Sequence, residues 1–265
     1  VMSHPEQRDV FRPGLFAGRT AFLAGATSGI NLAIARRFAG LGARVYVISR
    51  DPAKVESAVA LLGEQAAGRA ADVRDFEAVS AAVQDCADRW GAIDIVVSGA
   101  AGNFLARAAD LSPKGFRTVI DIDLVGSFHV LKSAYPHLRR PGGVALNISA
   151  LQSFQPAHAQ VHACAAKAGI DQMMRCLALE WGPEGIRVNS IAPGPIAGTE
   201  GMSRLTPTAE AEARLTSTIP LGRYGDRQDI ADLAVFLASD AARNISGALV
   251  VSDGGQAVGA GAIQL

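Results

Sequence analysis

Between Val161 and Ile170 the chain is built mostly of small and apolar residues, yet it carries one long cation, Lys167. Such a run packs closely as a helix, and an ammonium group cannot be buried in it unpaired without a large desolvation cost. Lys167 therefore either snorkels to solvent or meets an anionic or hydroxylated partner. A second chemical feature lies earlier, in AFLAGATSGINLAIARRF, where Gly25, Thr27, Ser28, Gly29 and Ile30 form a turn between an apolar run and a helical one. Glycine lets backbone approach a pyrophosphate, and the following helix N-terminus supplies free N–H groups and a positive dipole end. A purely structural turn is the alternative. Asn31 stands where a third glycine is often found, which leaves open how closely helix and strand approach. About 20 residues on, where an acid usually marks an NAD site, the chain has Ser49 and Arg50. An acid would repel a 2′-phosphate, whereas serine and arginine can bind one, so NADPH is the expected cofactor. A solvated surface arginine is the alternative reading of Arg50. Asp72 can accept from an adenine amino group or cap a helix.

The elements that must position these residues alternate. TAFLAG, RVYVIS, a short run near Arg69–Ala71, IDIVVSG, GVALNIS, IRVNSIAP and GALVVSDGG read as seven strands. Helical stretches near Leu32–Leu41, Ala53–Gln65, Phe76–Trp90, Lys114–His137, His158–Trp181 and Arg227–Ala238 separate them. This is the pattern of βαβ units. The expected fold is α/β, a single doubly wound Rossmann domain with a seven-stranded, mostly parallel sheet and helices on both faces. Residues 1–14 read as an N-terminal extension and 15–265 as the domain. Residues 194–222, rich in Pro, Gly, Thr and Ser, read as a loop or lid over the substrate.

With 25 basic and 25 acidic residues the chain has no excess positive charge, so neither nucleic acid nor a membrane surface is an expected partner. The ligand is expected to be small. Cys86, Cys164 and Cys176 are an odd number with neither CxxC nor zinc-type spacing, so neither disulfide nor metal is expected. No secretory h-region or apolar run of membrane-spanning length occurs. The terminal GAIQL is not a peroxisomal address, and a cytoplasmic setting is expected.

On GATSGI (25–30), DV (Asp72, Val73), SGAAG (98–102, with Ala100, Ala101 and Gly102), Lys167, RVNSIAPGPI (187–196) and DGG (253–255), the chain resembles the short-chain dehydrogenases/reductases from Leu15 to Val258. The resemblance implies that Gly25, Thr27, Ser28, Gly29, Ile30, Ser49, Arg50, Asp72, Val73, Ala100, Ala101 and Gly102 hold NADP(H). It gives Lys167 the nicotinamide ribose, and places Pro193, Gly194 and Ile196 over the nicotinamide face. It also implies a homotetramer built from the helix carrying Lys167, its neighbour and the last strand. Ordinary members carry a catalytic serine and tyrosine at the positions of Ala150 and Ala163, and an alanine can donate no proton. At 100° per residue, His162 lies about 140° around the helix from Lys167, so it is expected to be a satisfied packing residue. Ser149 should face opposite to position 150. Of the tyrosines, only Tyr224 is a conceivable substitute acid. Cys164 and Cys176 read as small buried residues.

A subgroup shares this loss. AAGNFL (100–105), TVIDID (118–123), QVHA (160–163), LEWGPEGIRVNS (179–190) and PGPIAGTEGMSRL (193–205) resemble the peroxisomal type of 2,4-dienoyl-CoA reductase. Gln152 stands where the mitochondrial type has a tyrosine. The implied activity is NADPH-dependent reduction of dienoyl-CoA thioesters in unsaturated fatty-acid degradation. Lys167 and Asp123 would be the catalytic pair; Asn103 and Phe104 would lie beside the acyl chain, with Arg74 and Arg204 at the coenzyme A phosphates. An aspartate beside an ammonium stays ionised, so Asp123 is expected to orient a water or the lysine rather than donate its own proton. Thr199 comes one residue later than the usual phosphate-binding threonine. The alternatives are a carbonyl or alcohol oxidoreductase with another acid, and an NADP(H)-binding module without turnover.

Overall fold

The computed structural model describes residues 10–199, 201–202 and 206–259. Seven strands, β1 (Thr20–Ala24), β2 (Arg44–Ser49), β3 (Ala66–Ala70), β4 (Ile95–Ser98), β5 (Val144–Ile148), β6 (Arg187–Pro193) and β7 (Leu249–Ser252), form one sheet in the order 3-2-1-4-5-6-7. Every pairing is parallel, so "mostly parallel" becomes wholly parallel. Strand β1 is buried along its whole length because helices cover both faces, which is why its sequence shows no alternation. Successive residues still serve opposite faces. Leu23 and Val45 pack toward α1 (Gly29–Gly40), while Phe22 and Tyr46 pack toward α3 (Phe76–Trp90).

The order reverses between β1 and β4, and in doubly wound sheets the ligand crevice opens at the carboxyl ends of the strands flanking such a switch. Local chemistry sets the helix starts around it. Asp51 accepts the N–H groups of Ala53 and Lys54 at the head of α2 (Pro52–Leu62), with Pro52 in the first turn. Asp75 caps α3 in the same way. Two expected boundaries move. Strand β3 begins at Ala66 rather than near Arg69, its sequence AAGRA being weakly apolar because it is the sheet edge.

The helix expected over Lys114–His137 is divided. It runs as α4 (Pro113–Val119), a π-helical segment (Ile120–Val125), α5 (Gly126–Ala134) and a 3-10 turn (Tyr135–His137). A π segment carries extra backbone per turn and so re-aims the side chains that follow; such segments occur often at functional sites. Asp123 lies within it. The helix carrying Lys167, α6, spans Val161–Trp181.

Of the 194–222 segment, a helix α7 occupies Ala209–Thr216, and a bridge between Ile196 and Gly225 joins its base to the loop before α8 (Arg227–Ala238). Among the described residues no helix is long and apolar enough to cross a membrane.

Candidate active site

At the β1–β4 switch a cavity of about 570 Å³ is lined by Gly25, Thr27, Ser28, Ser49, Arg50 and Asp72, together with Val73, Ala100 and Ala101. Gly25 has φ +73°, and a Cβ there would stand 2.7 Å from the Ala100 Cα, so only glycine allows the two turns to meet. Asn31 settles the question of the third glycine. Its Nδ2 donates to the Gly99 carbonyl at 2.6 Å, so the side chain bridges the turns after β1 and β4 instead of yielding space. Gly29 opens α1, and Ile30 packs against the core rather than into the cavity. Lys54 shares the cavity with Arg50; sequence reasoning missed it because it lies four residues along, on the helix that Asp51 caps. Two cations and a serine fit a terminal phosphate.

Asp72 and Arg74 meet each other. The Arg74 guanidinium donates to both Asp72 oxygens, at 2.5 Å from Nη2. That hydrogen bonding, with the Arg74 backbone N–H and the charges of Arg74 and Arg50 adding to it, holds the Asp72 carboxyl below the usual carboxylate range. The carboxylate keeps lone pairs for a further donor, and Arg74 keeps its Nη1.

Lys167 does not snorkel. The residue is 8% exposed; Nζ donates to the Ile148 carbonyl at 3.0 Å and lies 3.3 Å from Asp123 Oδ2. Asp123 is 1% exposed, and its Oδ1 accepts the Gly102 N–H at 2.8 Å. The π segment, the turn after β4, the end of β5 and α6 thus converge on one buried ion pair. One turn beyond Lys167, the buried Asp171 has both carboxylate oxygens without a hydrogen-bond partner. It was missed because a lone acid on a helix gives no sign in sequence of which face it occupies.

Ala163 is buried and Ala150 half-buried, and neither brings a hydroxyl to the pair. Ser149 is buried with its Oγ unpartnered. Tyr46, on β2, donates to Asp85, and Tyr135, in the 3-10 turn after α5, donates to Glu184, so neither lies on α6 with Lys167. The Tyr224 hydroxyl is buried without a partner, in the loop whose neighbour Gly225 bonds to Pro195.

His162 corrects an expectation. It is fully buried, but neither ring nitrogen has a hydrogen-bond partner, so it is packed without being satisfied; its ring lies 4.6 Å from that of Phe104. Cys176 is exposed, not buried, because its position on α6 faces away from the sheet, and Cys164 is only half-buried. Burial pushes the Cys86 thiol up to about 12.

A second cavity, of about 860 Å³, adjoins the ends of β5 and β6, lined by Gln152, Gln155, Gln160, Pro193, Gly194 and Met202 among others. Asn103 reaches it through a hydrogen bond to Gln160, and Phe104 is 41% exposed. Ile196 is buried beneath the turn. The Thr199 hydroxyl donates to the Ile196 carbonyl. Arg204 lies outside the described residues.

A doubly wound parallel sheet, a glycine turn held against β4 and a buried lysine on α6 define a nucleotide-dependent oxidoreductase scaffold. The family model described as "Enoyl-(Acyl carrier protein) reductase" matches residues 25–257, and the chain belongs to the short-chain dehydrogenase/reductase family. It is 42% identical to the peroxisomal 2,4-dienoyl-CoA reductase [(3E)-enoyl-CoA-producing] of Arabidopsis thaliana, over 92% of this chain and 86% of that one. It is 43% identical to the protein of the same name from Rattus norvegicus, over 94% and 87% of the two chains. A short-chain type dehydrogenase/reductase from Mycobacterium ulcerans superposes with a TM-score of 0.88 at 29% identity, covering 92% of this chain and 91% of that one.

Proposed function

We propose that the protein is an NADPH-dependent reductase of 2,4-dienoyl-CoA thioesters. The observation that carries this reading is the buried Lys167–Asp123 pair beside two alanines, an arrangement with charge to order a water but no hydroxyl acid of its own. Ketone reduction leaves an alkoxide that must be protonated at oxygen, which calls for a placed hydroxyl. Reduction of a conjugated dienoyl thioester does not. Hydride added at the δ carbon sends charge along the chain to the thioester oxygen, and the dienolate then takes its proton on carbon, which a water can deliver.

The turn Gly25–Ile30 would hold the pyrophosphate, Ser49 and Arg50 with Lys54 the 2′-phosphate, Asp72 and Val73 the adenine, and Ala100–Gly102 the adjoining ribose. Lys167 would hold the nicotinamide ribose, and Pro193, Gly194 and Ile196 the ring. The cofactor supplies the hydride. Lys167 and Asp123 fix the water, and Asn103 and Phe104 flank the acyl chain. Arg74 through its Nη1, and Arg204, serve the coenzyme A phosphates. Protonation at the α carbon gives a 3-enoyl product, the product printed in the names of the Arabidopsis and rat relatives. The homotetramer, through α5, α6 and β7, is supported by exposed Phe128, Leu179 and Val251 on those elements. A cytoplasmic setting belongs to the same proposal.

NADPH absorbance followed with 2,4-hexadienoyl-CoA and, separately, acetoacetyl-CoA tests the reading. Consumption with the dienoyl substrate alone is the expected result; a preference for acetoacetyl-CoA would make the protein a carbonyl reductase, and tight NADPH binding without consumption a binding module. Arg50→Glu tests the cofactor assignment. Losing charge-assisted hydrogen bonds worth about 1.5–3 kcal/mol should raise KM for NADPH by about 10- to 100-fold. The KM for NADH, which has no 2′-phosphate, should change little; equal effects on both would remove Arg50 from that role.

A further inference from the structure

Reduction of a dienoyl-CoA, on which this inference rests, gives the ion pair a water to order but leaves the thioester oxygen, where charge accumulates, without a donor. A group suited to that oxygen precedes α6. Gln160 is only 6% exposed, yet it lines the 860 Å³ cavity with Gln152, Pro193 and Gly194. Its Oε1 accepts from Asn103 Nδ2 at 2.7 Å and, at longer range, from Gln152 Nε2 at 3.3 Å. As the three amides stand, both neighbours present their amino groups to the Gln160 oxygen. The carbonyl end is held. The amino end, Nε2, has no hydrogen-bond partner among the described residues and is not sealed from the cavity that Gln160 lines, so it is free to meet an acceptor there.

Gln160 is the N-cap of α6, about one turn before Ala163 and about two turns before Lys167, so its amide stands at the start of the helix that carries the ammonium.

We propose that Gln160 is a catalytic residue whose Nε2–H donates to the thioester carbonyl oxygen of the bound dienoyl-CoA, with Asn103 and Gln152 as positioning residues that lock its amide. As hydride arrives at the δ carbon with its electron pair, the γ–δ, α–β and carbonyl π bonds open, π bonds form between the β and γ carbons and between the α carbon and the carbonyl carbon, and the oxygen takes the charge. The hydrogen bond to it strengthens. The α carbon then takes a proton from the ordered water, the carbonyl re-forms, and the hydroxide left behind is neutralised by a proton from solvent. A preorganised donor aimed at the oxygen that becomes charged lowers the barrier without reorganising during the reaction. An aldehyde or ketone substrate would place its oxygen at the hydride-accepting carbon instead, so the same amide would favour an extended conjugated thioester.

Two substitutions test this. Q160E keeps an oxygen for Asn103 and Gln152 but replaces the donor by an acceptor, and Q160M keeps the volume and removes both functions. The measurements are kcat on 2,4-hexadienoyl-CoA across pH, NADPH affinity by fluorescence, and the red shift of the dienoyl absorption in the complex with NADP⁺, which reports carbonyl polarisation. Both variants should bind NADPH as the wild type does, lose the red shift, and lose about 100-fold in kcat at neutral pH. Only Q160E should regain rate and red shift as pH falls, when the introduced carboxyl takes up a proton and becomes a donor; a merely structural glutamine would not produce that profile. If Q160E fails to bind NADPH, Q160M decides by the same rate and spectrum. An active wild type whose variants keep both rate and red shift overturns the Gln160 assignment and leaves the dienoyl-CoA reading standing. A wild type inert toward hexadienoyl-CoA overturns both.

Discussion

Lys167→Met should abolish most turnover and destabilise the protein, while the double variant Lys167→Met, Asp123→Asn should recover stability without activity. Methionine has nearly the shape of lysine, so the stem keeps its place on α6 while the charge and its hydrogen bond to the Ile148 carbonyl are lost. In the single variant Asp123, 1% exposed, is left as an uncompensated buried anion. Breaking a buried pair by removing one partner costs about 3–5 kcal/mol, whereas removing both charges is often neutral. Chemistry should behave differently, because both variants lack the ammonium proposed to order the water and hold the ribose. Misplacing a proton donor of this kind costs about 10²- to 10⁴-fold. Thermal melts with and without NADPH, beside kcat and KM on hexadienoyl-CoA, separate the two effects. A double variant that regained activity together with stability would show that the pair serves folding alone.

Asp123→Asn by itself should leave a folded protein with kcat lowered about 100-fold. The amide oxygen still accepts the Gly102 N–H that Asp123 Oδ1 accepts at 2.8 Å, so the tie between the π segment and the turn after β4 survives. The negative charge facing Lys167 does not survive, and Lys167 keeps only the Ile148 carbonyl. With an anion, a water resting against both groups can donate toward Asp123 and accept from Lys167, leaving its second proton aimed at substrate. An amide supplies weaker acceptance and competing donors. Rapid-quench measurement of a single turnover, with NADPH affinity measured separately, would place the loss in the chemical step. A normal single-turnover rate would remove Asp123 from the mechanism.

Much of the scaffold was legible because local pattern has local causes. The apolar runs that became β1, β2, β4, β5 and β6 stand out since burial on both faces leaves room for few polar residues. The glycine turn was legible for a similar reason: at Gly25 a side chain would collide with Ala100, and that exclusion appears directly as residue type. The edge strand β3 was misplaced because one exposed margin relaxes the same demand. Cys176 and His162 were misjudged because composition gives neither the face a residue occupies nor the partners it meets there.

The sequence by itself determined the family's cofactor scaffold and, through Ala150 and Ala163, the absence of its usual acid. Covalent order is enough to read a missing hydroxyl. Only the tertiary structure decided which side chains meet around that gap. A π segment turns Asp123 onto Lys167, and Asn103 meets Gln160 from 57 residues away. Such pairings depend on which side chains the sheet order brings within hydrogen-bond distance, and short-range periodicity carries no record of that.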